Sequence, residues 1–220
     1  LNNLNALVTA RYHSGLKSDP DAAFVISREA HVSFNKFLNV LGLQKENIII
    51  VDSDTKGCMN INSLKQELSK ANKNNKKIFA IVATLGTTIR GAIDPILEIS
   101  QICKDNNYWL HIDGSIGGIF ALSEKIIKGL DNIHLADSVT INPQKILGIT
   151  KTSSLLLTKD INTLRKTFVT GLPYLESRNE FINRGELGIQ GSRPAEIIKL
   201  WLGLRLLGLK GVEEILLAAL

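Results

Sequence analysis

The stretch Trp109-Leu110-His111-Ile112-Asp113-Gly114 decides how the rest of the sequence is read. A short β-rich run, 109–112, ends on a carboxylate and then a glycine, the punctuation expected where a strand meets a loop. Runs of the same kind recur at 23–27, 48–51, 78–82, 138–141 and 155–158. Between them lie longer stretches with helical spacing, at 33–41, 61–70, 95–105 and about 123–129. Asp94 stands in a capping position, and Pro95 suits a first helical turn. Nearly all-apolar strands separated by helices predict an α/β fold, a mostly parallel sheet with helices on both faces. There is no internal repeat that would point to a solenoid.

The bulk composition is that of one large globular domain: 220 residues, 44% hydrophobic and 21% charged. The formal charge is +5, but the basic residues form no stripe. Their densest cluster, Lys73 with Lys76 and Lys77, sits among asparagines and reads as a solvated turn. No nucleic acid is therefore expected as a partner. Mild basicity suits anionic ligands. The two cysteines, Cys58 and Cys103, lack metal-ligand spacing, so neither a metal site nor a disulfide framework is expected. That usage points to a reducing, cytoplasmic setting. No apolar run reaches the roughly 20 residues of a membrane span, and Arg205, Lys210, Glu213 and Glu214 break the apolar C-terminal stretch. Residues 1–11 read as the middle of a helix, and 213–220 as part of an unfinished amphipathic segment, so a piece of a longer protein is expected. Leu200, Trp201 and Leu204 are expected to remain as uncovered apolar surface.

In an open parallel sheet, ligands sit beyond the carboxyl ends of the strands. The residues that follow the strands here are His31, then Gly86-Thr87-Thr88, then Asp113, then Asn142 to Lys145. Taken singly, each has a bland reading: a half-buried histidine, a tight turn, a helix cap, a surface lysine. Together they place an imidazole, hydroxyls, a carboxylate and an amine on one rim. Asp113 and Lys145, 32 positions apart (145 − 113) on adjacent strand ends, suit a pyridoxal site. Such a site needs a lysine for a Schiff base and a carboxylate to keep the pyridine nitrogen protonated.

Five ordered segments carry a family resemblance: Ala30-His31-Val32-Ser33; Ala83-Thr84-Leu85-Gly86-Thr87-Thr88 with Gly91-Ala92-Ile93-Asp94-Pro95; His111-Ile112-Asp113-Gly114-Ser115; Asp137-Ser138 leading to Asn142-Pro143-Gln144-Lys145; and Gly191-Ser192-Arg193 with Leu200-Trp201. In these the sequence resembles the group II pyridoxal-phosphate-dependent amino-acid decarboxylases, along its whole length. The resemblance implies an aspartate-aminotransferase-like (fold type I) large domain over 1–192, and a linker helix opening a further domain over 193–220. It implies pyridoxal 5'-phosphate as cofactor, His31 stacked on the ring, Asp113 at the ring nitrogen, and Lys145 as the Schiff-base lysine. Asn142 and Gln144 would lie toward the phosphate, Ser115 against the ring face opposite His31, and Thr88 near the reacting side. Tyr174, in Pro173-Tyr174-Leu175, would return a proton to Cα. A homodimer with its active site between subunits is implied, and the wording around Asp94 and Asp113 leans toward acidic substrates. The sequence departs from the family where Gln144 replaces a histidine and Ser115 an alanine. The family's glycine-rich phosphate turn would fall just before residue 1. The rival readings are oxidative deamination or transamination on the same scaffold, and a non-catalytic interaction module.

Overall fold

A computed structural model describes residues 1–123, 130–150, 153–171 and 183–220. Six strands form one sheet in the order β2-β1-β3-β4-β5-β6. They are β1 (Ala22–Ser27), β2 (Ile48–Val51), β3 (Lys77–Thr84), β4 (Trp109–Gly114), β5 (Ser138–Ile141) and β6 (Leu155–Thr158). The first five run parallel, and β6 lies antiparallel on β5. The helices are α1 (Asn2–His13), α2 (Ser33–Leu41), α3 (Ile61–Lys73), α4 (Ile96–Asn106), the single turn α5 (Pro143–Ile146), α6 (Ile161–Phe168) and α7 (Ile197–Ala218). This is the expected α/β architecture. The helical pattern expected at about 123–129 falls almost wholly outside the described residues.

Strand alternation sends side chains to two faces. One face carries Ala23, Val25, Ile81, Ala83, Leu110, Ile112, Val139 and Ile141, packed on Leu64 and Leu68 of α3, Ile99 and Cys103 of α4, and Val212 and Leu216 of α7. Burial on this face pushes the Cys103 thiol up to about 12, which leaves it an inert core residue. The other face carries Ala22, Phe24, Ile26, Ala80 and Val82 beneath Leu7 and Ala10 of α1 and Phe34 and Leu38 of α2. All six residues of β1 are buried, which is why that strand reads as an apolar run rather than an alternation.

Helix α1 has no polar face, because it is buried on nearly all sides. Several of its polar side chains reach partners instead of water. The Arg11 guanidinium donates to the carbonyls of Leu16 (2.8 Å), Leu41 (2.7 Å) and Asp19 (2.8 Å), so a buried fork of donors joins the C-terminal ends of α1 and α2.

Two local expectations need correction. Asp94 does not cap α4, which starts one residue after Pro95. Its buried carboxylate instead accepts the amides of Met59 (2.6 Å) and Thr84 (2.8 Å), tying β3 to the loop ahead of α3. Leu200 is buried and Leu204 packs against the core, leaving Trp201 exposed.

Candidate active site

A cleft of about 240 Å³ opens at the carboxyl ends of β1, β3, β4 and β5. His31, Thr88, Asp113, Ser115, Asn142 and Lys145 all line it, together with Asn2, Asn3 and Glu29. Six of the cofactor contacts expected from the sequence therefore meet on one wall. Gln144 is not a lining residue, and its buried Oε1 has no hydrogen-bond partner. Tyr174 lies outside the described residues.

The sheet register builds the floor. Thr84 of β3 and Thr140 of β5 are the register partners of Asp113 on either side, so the three point to one face in a row. Asp113 is fixed from two directions: Oδ2 accepts the Asn3 side-chain amide (2.8 Å), and Oδ1 accepts the Ser115 backbone amide (3.1 Å). Behind it, His111 is fully buried, and burial pushes its imidazole down to about 4 against the opposing pull of Asp113. At the histidine wall, Nδ1 of His31 accepts from the Ser33 backbone amide (3.3 Å) and lies 2.8 Å from the Ser33 hydroxyl, which holds the ring where it lines the cleft.

The loop after β3 is shaped by a left-handed glycine, Gly86 (φ +82), where the chain turns back so that the amides of Gly86 and Thr87 both reach the Ala92 carbonyl. Thr87 closes that turn by accepting the Ala92 amide (3.1 Å), which leaves Thr88 as the hydroxyl on the cleft. Gly117 packs so closely that a Cβ there would meet the Leu85 carbonyl oxygen at 2.6 Å. On the β5 side, Asn142 is oriented by the Ser154 hydroxyl, which itself accepts the Asn2 amide (2.9 Å). Lys145 follows on α5, begun by Pro143 at a first-turn position.

A family model described as the pyridoxal-dependent decarboxylase conserved domain matches residues 14–219. The chain belongs to that family. It is 35% identical to the acidic amino acid decarboxylase GADL1 of Homo sapiens, over 97% of this chain and 43% of the relative. It is 34% identical to an aromatic-L-amino-acid decarboxylase of Bacillus atrophaeus, over 96% and 45%. The crystal structure of mouse CSAD superposes with a TM-score of 0.88 at 31% identity, covering 97% of this chain and 46% of that one. The chain thus spans less than half the length of these relatives.

The residues present fit the family's cofactor. Thr84 and Thr140 flank Asp113, are buried and line the cleft, yet their hydroxyls have no hydrogen-bond partner among the described residues. Buried polar groups normally find partners, so these two are donors and acceptors left for a ligand. Asn3, Thr84 and Thr140 were not singled out from sequence as site residues. His111 stood within a quoted motif without a role. Only for the two threonines was there a usable signal, their alternation with the residues that were named.

Proposed function

We propose that this chain is the cofactor-binding part of an enzyme that uses pyridoxal 5'-phosphate to decarboxylate an acidic L-amino acid, giving carbon dioxide and the amine. The observation that carries this reading is the single cleft wall holding His31, Asp113, Asn142 and Lys145, with partnerless threonine hydroxyls on both sides of Asp113. The acidic preference is supported by the similarity to the acidic amino acid decarboxylase and to mouse CSAD.

Bound in the cleft, the cofactor supplies a sink for the electron pair released when the Cα–carboxylate bond breaks. Asp113 keeps the proton on the ring nitrogen, since a carboxylate in hydrogen-bond range favours the charged form. Lys145 would hold the cofactor through its amine. His31 and Ser115 would cover the cofactor's ring, and Thr88, Thr84 and Thr140 would hold its edge. Asn142, with Gln144 beside it, lies toward the phosphate. Tyr174 returns the proton to Cα once carbon dioxide has left.

The assembly we propose is a cytoplasmic homodimer. Two free cysteines suit a reducing compartment. Ile197, Ile198, Trp201, Leu202, Leu206 and Leu209 along α7 form an exposed apolar surface suited to burial in an assembly. No helix among the described residues is long and apolar enough to cross a membrane.

The test is product analysis with the full-length protein carrying this chain, offered glutamate, aspartate, cysteine sulfinate and an aromatic amino acid. Amine and carbon dioxide in equal amounts, fastest from an acidic substrate, are expected. Aldehyde with ammonia, or an oxo acid, would assign the rival chemistries. No turnover with any substrate would favour an interaction module.

A further inference from the structure

Behind Asp113 lies a chain of side chains whose hydrogen bonds admit one direction only. Trp109, His111 and Asp113 alternate along the same face of β4, and Ser138 of β5 stands in register beside His111. Asn3 of α1 closes the gap between the imidazole and the carboxylate. The contacts are Trp109 Nε1 to Ser138 Oγ (2.8 Å), Ser138 Oγ to His111 Nδ1 (2.8 Å), His111 Nε2 to Asn3 Oδ1 (3.0 Å) and Asn3 Nδ2 to Asp113 Oδ2 (2.8 Å).

The two ends fix the direction. An indole nitrogen only donates, and an ionised carboxylate only accepts. The atom of Asn3 that faces Asp113 must therefore be its NH2, which turns its carbonyl to His111. A carbonyl only accepts, so Nε2 of His111 carries the hydrogen. With the hydrogen on Nε2, a neutral ring leaves Nδ1 bare, and Ser138, which accepts from Trp109, donates its own proton there. A doubly protonated His111 would need Ser138 to accept from two N–H groups and to send its own proton elsewhere. It would also place a desolvated cation in the interior, which is costly.

We propose that Asn3, His111, Ser138 and Trp109 act as positioning residues for Asp113, a one-way hydrogen-bond chain that keeps the imidazole neutral in its Nε2–H form and holds the carboxylate ionised and aimed at the cleft. The consequence rests on the functional reading above. A cationic His111 would offer Asp113 an internal partner and weaken its hold on a ring nitrogen. A neutral one, with the intervening amide donating to Oδ2, leaves the cofactor's ring as the cation to which Asp113 responds. Partners behind a ligating group orient it and tune its basicity in the same way at metal centres.

The test uses the full-length protein with 15N-labelled histidine. Ring-nitrogen NMR of the cofactor-free form reads the His111 tautomer directly, with no variant required. The expected result is a protonated Nε2 and a bare Nδ1. Ser138→Ala should redistribute the tautomers and Ser138→Thr should restore them. Asn3→Leu should weaken pyridoxal phosphate binding by about tenfold to a hundredfold, the value of one hydrogen bond to a charged group. It should also shift the visible absorbance of the bound cofactor. An Nδ1–H tautomer or an imidazolium in the wild type overturns the proposal, as does an Asn3→Leu protein that folds and binds the cofactor with unchanged affinity and absorbance. Wild-type protein with the expected tautomer but no uptake of pyridoxal phosphate overturns the functional reading, and with it the purpose assigned to the chain, while the hydrogen-bond direction stands.

Discussion

Strands β1 and β4 lie one strand apart in the same sheet and face the same layer of helices, yet they present opposite chemistry. Toward that layer β1 offers Ala22, Phe24 and Ile26, while β4 offers Trp109, His111 and Asp113. Both sets are buried, save for the half-buried Trp109. The apolar set needs only shape: Phe24 stands 5.8 Å from Phe79 and 6.5 Å from Phe34, centroid to centroid. The polar set needs partners, because each unsatisfied buried group costs about 1–3 kcal/mol. Its three members have them, whereas the hydroxyls of Thr84 and Thr140, in register with Asp113 and lining the cleft, find none among the described residues. One half of the face holds the fold together, and the other holds a site at its open edge.

Substitutions should separate the two halves. Asp113→Asn should lower turnover on the order of a hundredfold or more, the scale of losing one preorganised electrostatic partner. Its cost to folding should stay near 1–3 kcal/mol, since an amide nitrogen replaces one acceptor. Steady-state kinetics beside urea unfolding reads both. Phe24→Ala should reverse the pattern, costing about 3–5 kcal/mol of stability and sparing turnover in whatever fraction remains folded. Comparable turnover losses in the two variants would erase the distinction.

Gly117→Ala probes the seam between the halves. Its Cβ would strike the Leu85 carbonyl at 2.6 Å, backbone against backbone. A loss of about 1–3 kcal/mol is expected, with weaker cofactor binding because the Gly86 turn must shift.

Two buried titrating groups give the finest contrast, because they act with opposite sign in one pH window. Burial raises the Asp94 carboxyl from 3.8 to about 6. Its folded form binds the proton more tightly, so its contribution to stability is present at low pH and is lost as pH rises through that interval. Burial lowers His111 from 6.5 to about 4, so its contribution is present near neutrality and is lost as pH falls, with Asp113 the facing charge that opposes the shift. Each effect is on the order of 3 kcal/mol. In urea melts between pH 4 and 6, Asp94→Asn should make stability rise more steeply with pH, and His111→Gln should make it rise less. Slopes that match the wild type in both variants would mean that neither group titrates there.

The sheet was legible because its strands are β-rich runs with at least one apolar face, stopped by loop residues. The runs at 48–51, 138–141 and 155–158 match β2, β5 and β6, and β4 only extends onward to Asp113 and Gly114. The cleft was legible because ligand-facing residues follow strand ends. What sequence hid was long-range pairing. Asp94 before Pro95 looks like a helix cap, but its acceptor capacity is claimed by amides 35 and 10 positions away. Asn3 sits in a helix without a local signal, and its carboxylate partner is 110 positions distant. Gln144 is less legible: a motif position read as a cofactor contact that does not line the cleft, and whose buried side-chain oxygen has no hydrogen-bond partner among the described residues.

The central claim is that the polar edge beside Asp113 holds pyridoxal phosphate with Lys145 as its covalent anchor. Borohydride reduction of the cofactor-loaded full-length protein, followed by peptide mass mapping, tests it directly. The account predicts a single pyridoxyl adduct on Lys145, absent from Lys145→Ala. An adduct on any other lysine of the untreated wild-type sequence, or one that survives Lys145→Ala undiminished, would contradict it.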